Sequence, residues 1–111
     1  MDDTGRTRSL ERFYDGTVTK TFENQPDAKR YTLHDGDELL AVLDYTSNGQ
    51  AISLTRAFTS PAYRGRGLAA EIVEYAVNDI EASGDLRVIP MCWYVGEWFD
   101  KHPERAGLLT R

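Results

Sequence analysis

The residues with the clearest chemical promise are Arg64-Gly65-Arg66-Gly67-Leu68-Ala69, set between a β-branched run and a long apolar-periodic segment. A helix that begins there offers unpaired N–H groups and the positive end of its dipole. Glycines let the backbone come close to an anion and adopt turns closed to other residues. Together with the two arginines, this makes a pyrophosphate cradle. No Gly-Lys-Ser/Thr follows, so the loop is not a phosphate loop of the lysine type. Ala70 stands where a dinucleotide fingerprint needs its third glycine, and residues 86–90 end in no acid, so that motif is absent too. The plainer alternative is a glycine-rich turn before a surface helix, with its basic residues merely exposed.

Cys92 is the sole cysteine, so it is a free thiol within the chain and a candidate nucleophile. Its alternative is a small buried apolar residue. Tyr94, two residues on, reads by itself as a half-buried aromatic with a wet hydroxyl. His102 reads as a helix-end residue and His34 as a solvated one beside a hairpin. Trp93, Trp98 and Phe99 read as packing aromatics, and Glu71 and Glu74 as the wet face of a helix. The histidines and the cysteine have no metal-site spacing, so no metal is expected.

These groups must be held by regular elements. Residues 1–16 read as an N-terminal lead-in, with a turn of helix around residues 10–14. Residues 17–23 and 30–34 read as strands, separated by the turn signal Asn24-Gln25-Pro26-Asp27. Asp35-Gly36 is a hairpin pair leading into a strand over 38–45, and Asn48-Gly49 leads into another over 51–59. The first half is thus an antiparallel meander. Beyond the glycine loop, Ala69, Ile72, Val73, Ala76, Val77 and Ile80 share one helical face, and Ser83-Gly84 stops the helix. Residues 86–90 form a further strand, parallel to 51–59 across a right-handed crossover. Val95, Trp98 and Phe99 share the face of a short last helix, ended before Pro103.

The chain has 111 residues, 41% apolar and 28% charged, which suits one domain with a modest core. A net charge of −5 argues against general binding to nucleic acid. The polar start lacks a secretion signal's apolar centre, and no apolar run approaches the ~20 residues that span a bilayer. A cytoplasmic protein with no membrane association is expected.

The hexapeptide 64–69 resembles the Arg/Gln-x-x-Gly-x-Gly/Ala signature of the GNAT superfamily of acetyltransferases. The order of elements is similar as well, giving an α/β (α+β), reduced GNAT-like fold over residues 17–111. The stretch Phe58-Thr59-Ser60-Pro61-Ala62-Tyr63-Arg64-Gly65-Arg66-Gly67 resembles the short, YjdJ-type branch, as do Pro90-Met91-Cys92-Trp93-Tyr94-Val95 and Phe99-Asp100-Lys101-His102-Pro103-Glu104.

The resemblance implies acetyl-coenzyme A as co-substrate. The N–H groups of Arg64, Gly65, Arg66, Gly67, Leu68 and Ala69 would hold its pyrophosphate. The pantetheine arm would pair with the backbone of Ala57, Phe58 and Thr59 like an added strand, with the thioester near Phe58 and Cys92. A backbone N–H near Phe58 would face the oxyanion, Cys92 would be the active-site cysteine, and Tyr94 would be the acid for the leaving thiolate. Full-length relatives insert two helices after their first strand and continue past the last helix. Here only residues 24–29 separate the first strands, and 106–111 form a short tail. The acceptor side is therefore reduced. It suits an open site for a small-molecule or exposed peptide amine, or one completed by self-association or a protein partner. A non-catalytic coenzyme A-binding module and a cofactor-free interaction domain remain the alternatives.

Overall fold

The computed structural model describes residues 12–14 and 19–111. Six strands form one sheet in sequence order: β1 (Arg12–Tyr14), β2 (Thr19–Gln25), β3 (Arg30–Asp35), β4 (Glu38–Ser47), β5 (Ala51–Thr59) and β6 (Arg87–Pro90). All neighbours are antiparallel except β5 and β6, which run parallel. Helix α1 (Leu68–Ser83) makes the crossover that a parallel pair requires. Helix α2 (Trp93–Asp100) follows β6, and a 3-10 segment, Pro103–Leu109, closes the described chain.

The meander, the crossover helix, the parallel strand and the short last helix agree with the reduced GNAT-like fold read from the sequence. Two local readings need correction. Arg12–Tyr14 is an edge strand paired with β2, not a turn of helix. The rest of the 1–16 lead-in, with Thr17 and Val18, lies outside the described residues. The first hairpin turn also falls later, because Gln25 still pairs with Arg30. Asn24 stays in the ladder, where its side chain accepts the Tyr45 O–H at 2.8 Å.

One continuous core joins sheet and helices. Leu33, Leu43, Ile52 and Leu54 of the sheet pack with Ile72, Val73, Ala76 and Val77 of α1 and with Val95, Trp98 and Phe99 of α2. Ser83-Gly84 ends α1 where the pattern places it. An aromatic group extends this core: Phe22 stacks on Tyr75 at 4.9 Å, and Tyr31 lies 5.3 Å from Tyr45 between ring centres. The buried Tyr31 O–H donates to Asp79 of α1 at 2.8 Å.

Burial, then the Asp79 charge, push the Tyr31 pKa far above its ordinary 10.0, and burial raises that of Tyr45. An unfolded chain releases these phenolic protons near pH 10, whereas the native state keeps them. Their stabilising contribution is therefore complete below about pH 10 and falls as pH rises above it. In an alkaline titration, part of the tyrosinate absorbance should appear only together with loss of far-UV circular dichroism. Ionisation of all tyrosines near pH 10 in an intact fold would contradict this assignment. Among the described residues, no helix is long and apolar enough to cross a membrane.

Candidate functional site

The site begins where β5 and β6 part. They pair only from Ala51 opposite Arg87 to Leu54 opposite Pro90. The last rung is the Cys92 N–H, which donates to the Leu54 carbonyl at 3.0 Å. At the same point the β4–β5 register shifts: Tyr45 faces Leu54 but Asp44 faces Arg56, leaving Thr55 as a bulged extra residue. A bulge bends its strand and re-aims the residues beyond it. The Ser60 N–H donates to the Leu40 carbonyl at 2.8 Å, which sets the phase of the ladder past Thr55. Alternate residues turn both polar groups to the same neighbour. Arg56 and Phe58 thus bond toward β4, while Ala57 and Thr59 turn their N–H and C=O groups to the side that β6 has left.

The loop after β5 is tied down at both ends. Ser60 Oγ donates to the Leu39 carbonyl at 2.9 Å. A single 3-10 turn, Pro61–Tyr63, follows, and the Tyr63 hydroxyl hydrogen-bonds the Glu38 carboxylate, which keeps it protonated. Arg64 Nε–H donates to the Thr59 carbonyl at 3.1 Å, so its guanidinium lies across the open edge of β5. Arg56 and Arg64 both stand over the Phe58 ring, at 5.1 and 5.9 Å.

Gly65 and Gly67 then adopt φ values of +84° and +77°. Gly67 caps α1, its carbonyl accepting the Glu71 N–H at 3.2 Å. Among the described residues, the N–H groups of Gly65, Arg66, Gly67, Leu68, Ala69 and Ala70 have no backbone or side-chain acceptor. A Cβ on Gly65 or Gly67 would meet no atom within 4 Å, so the space before these amides is open. Below them, Leu68 is buried in the core and anchors the first turn.

Across the gap, Cys92 is the N-cap of α2 and half-buried, with its carbonyl accepting the Gly96 N–H at 3.1 Å. Tyr94, also half-buried, lies in the first turn of α2. Burial, then the nearby Glu97 charge, raise its pKa, so it keeps its proton at neutral pH. The sequence-derived residues thus occupy two elements that diverge from one point: Ala57 to Ala69 on one side, Cys92 and Tyr94 on the other.

Residues 30–108 match the family of GCN5-related N-acetyl-transferases. The chain belongs to this family. The match runs from β3 through Leu108, so it contains the bulge, the loop, α1 and the start of α2. No curated protein matches the chain. GCN5-related N-acetyl-transferases carry out acetyl transfer and generally use acetyl-coenzyme A. The open amides of the loop and the outward groups of Ala57 and Thr59 fit a ligand with a diphosphate and an amide-rich arm.

Other residues read from the sequence fall elsewhere. His102 Nδ1 lies 2.7 Å from the Trp98 carbonyl and its ring stacks on Trp98, which makes it a helix-end group. Glu71 is not simply wet, since Lys20 Nζ bonds both of its carboxylate oxygens. Trp98 and Phe99 are core, but Trp93 is 77% exposed, contrary to its reading as a packing aromatic. The helical period carried that signal: Val95, Trp98 and Phe99 define the inner face of α2, and Trp93 lies on the opposite side. Among the described residues, no group of three or more His, Cys, Asp or Glu gathers as for a metal ion.

Proposed function

We propose that the chain is an acetyl-coenzyme A-dependent N-acetyltransferase of the short YjdJ-type branch, acting on an exposed amine. One observation supports the reading: six successive backbone amides, Gly65 to Ala70, find no acceptor among the described residues and open beside a strand edge that its neighbour has left. In this reading the loop amides and Arg66 hold the diphosphate. Ala57 and Thr59 pair with the amide-rich arm, and Arg64 keeps the strand edge in place through Thr59.

The amine attacks the thioester carbonyl once it has lost its proton. Tyr94 returns a proton to the departing thiolate, a task suited to a phenol held protonated. Cys92 acts at the acyl group, either by accepting it or by positioning the acceptor or a water. The free thiol agrees with a cytoplasmic setting.

Calorimetric titration tests the first half. Acetyl-coenzyme A and free coenzyme A should both bind saturably. At a hundredfold excess over Kd, either should stabilise the fold by about 2.7 kcal/mol in a thermal melt. No heat and no shift would defeat the reading and leave a cofactor-free domain. Binding without acceptor-dependent release of free thiol would instead favour a sensing or buffering module.

A further inference from the structure

Met91 and Trp93 are the exposed large apolar side chains among the described residues, at 66% and 77% exposure, and they stand on either side of Cys92. An exposed apolar pair at such a point calls for a contact. We infer that this ledge receives an extended peptide segment and that the acetylated group is a lysine side chain of that segment. The inference rests on the transferase reading and names its acceptor class.

Three observations select this occupant. First, Cys92 and Tyr94 are half-buried while the flanking side chains protrude, so the reacting nitrogen must pass beyond the ledge on a narrow stem. A lysine has a flexible four-carbon stem, whereas a chain-terminal amine sits on the backbone itself. Second, the ledge is acidic. Glu97 follows Trp93 by one helical turn, and Asp100 shares the outward face of α2. Lys101, which faces Glu97 at 4.0 Å, is 72% exposed, so the pair is loose and a substrate ammonium can replace it.

Third, Trp93 presents its indole to solvent, edge-on to Tyr94 with ring centres 5.9 Å apart. Its face is free to take an ammonium or a methylene stem. Phe58 and Tyr63, by contrast, already carry arginines. A side chain this exposed cannot enclose a small amine, but it can lie flat under a peptide.

The test compares three acceptors with acetyl-coenzyme A by thiol release: an end-blocked peptide with one lysine, a lysine-free peptide with a free N-terminus, and spermidine. The lysine peptide should be the fastest. Trp93→Ala should raise its KM by about tenfold, as truncation of an interface anchor does. Trp93→Phe should recover most of the loss, and Glu97→Gln should raise KM without lowering kcat to the same extent. Acetyl-coenzyme A affinity by calorimetry and far-UV circular dichroism should not change in Trp93→Ala. The blocked lysine peptide should also alter tryptophan fluorescence of the coenzyme A-loaded protein, and Trp93→Phe should remove that change.

Preference for spermidine or the free N-terminus, or a Trp93→Ala KM within twofold of the parent, would overturn the acceptor assignment while leaving the transferase reading intact. Absence of acetyl-coenzyme A binding would remove both.

Discussion

Gly67→Val is expected to give a folded protein that no longer takes up acetyl-coenzyme A at useful concentrations. Gly67 has φ +77° and ψ 14°, a left-handed conformation that a β-branched residue adopts at a cost of about 1–2 kcal/mol. That is small against the ~5–15 kcal/mol stability of a typical domain. The Cβ would meet no neighbour within 4 Å among the described residues, which leaves the core and α1 as they are, and the two methyls extend outward from it. They would instead fill the space before the amides of Leu68, Ala69 and Ala70. The diphosphate could then no longer reach those donors, and affinity should fall by about a hundredfold, or ~2.8 kcal/mol. Gly49→Val is the matched control. Gly49 has φ +89° and an equally open Cβ direction, but it lies in the hairpin at the other end of β5. Calorimetry on both variants separates the two effects: the control should melt lower but bind normally. Unchanged affinity in Gly67→Val would remove the diphosphate from this loop.

The parts of the molecule legible in the sequence are those fixed by local rules. Asp35-Gly36 and Asn48-Gly49 fall at the hairpins, and the apolar period of α1 ends at Ser83-Gly84. The parallel setting of β6 is dictated by the crossover helix, a constraint of topology. The bulge at Thr55 has no such signal. Residues 51–59 alternate plausibly throughout, and the extra residue shows only against its partner β4. Yet that bulge decides which backbone groups face the open edge. The family resemblance pointed to the segment Ala57 to Thr59, but not to Phe58 bonding toward β4 while its neighbours face outward. The edge strand β1 is short and pairs with β2, and its three residues carried too little pattern to be read. Trp93 is the reverse case. The helical period marked it as outward-facing, and the general tendency of tryptophan to pack was the weaker guide.

Cys92→Ala isolates a sulfur atom more cleanly than most cysteine replacements. Both structural bonds of Cys92 are made by its backbone: the N–H to Leu54 and the C=O from Gly96. Its side chain makes no capping hydrogen bond to α2, so alanine takes none away. The junction where β6 hands over to α2 should therefore persist, and acetyl-coenzyme A affinity should stay within about twofold. Turnover should fall by about a hundredfold, the lower range for loss of a group that takes part in the chemical step. Cys92→Ser then tells the two roles apart. A hydroxyl at the same position can still hydrogen-bond an acceptor or a water, so partial recovery indicates positioning. If the thiol itself takes the acetyl group, serine should be as slow as alanine. The parent protein mixed with acetyl-coenzyme A and no acceptor should then carry an acetyl mass increment on the Cys92 peptide. Parent-level turnover in Cys92→Ala would assign the sulfur to packing alone and shift the chemistry to Tyr94 and to the amine's own approach. Tyr94→Phe should in that case produce the larger loss, because it removes the phenol that the proposed mechanism uses to return a proton to the thiolate.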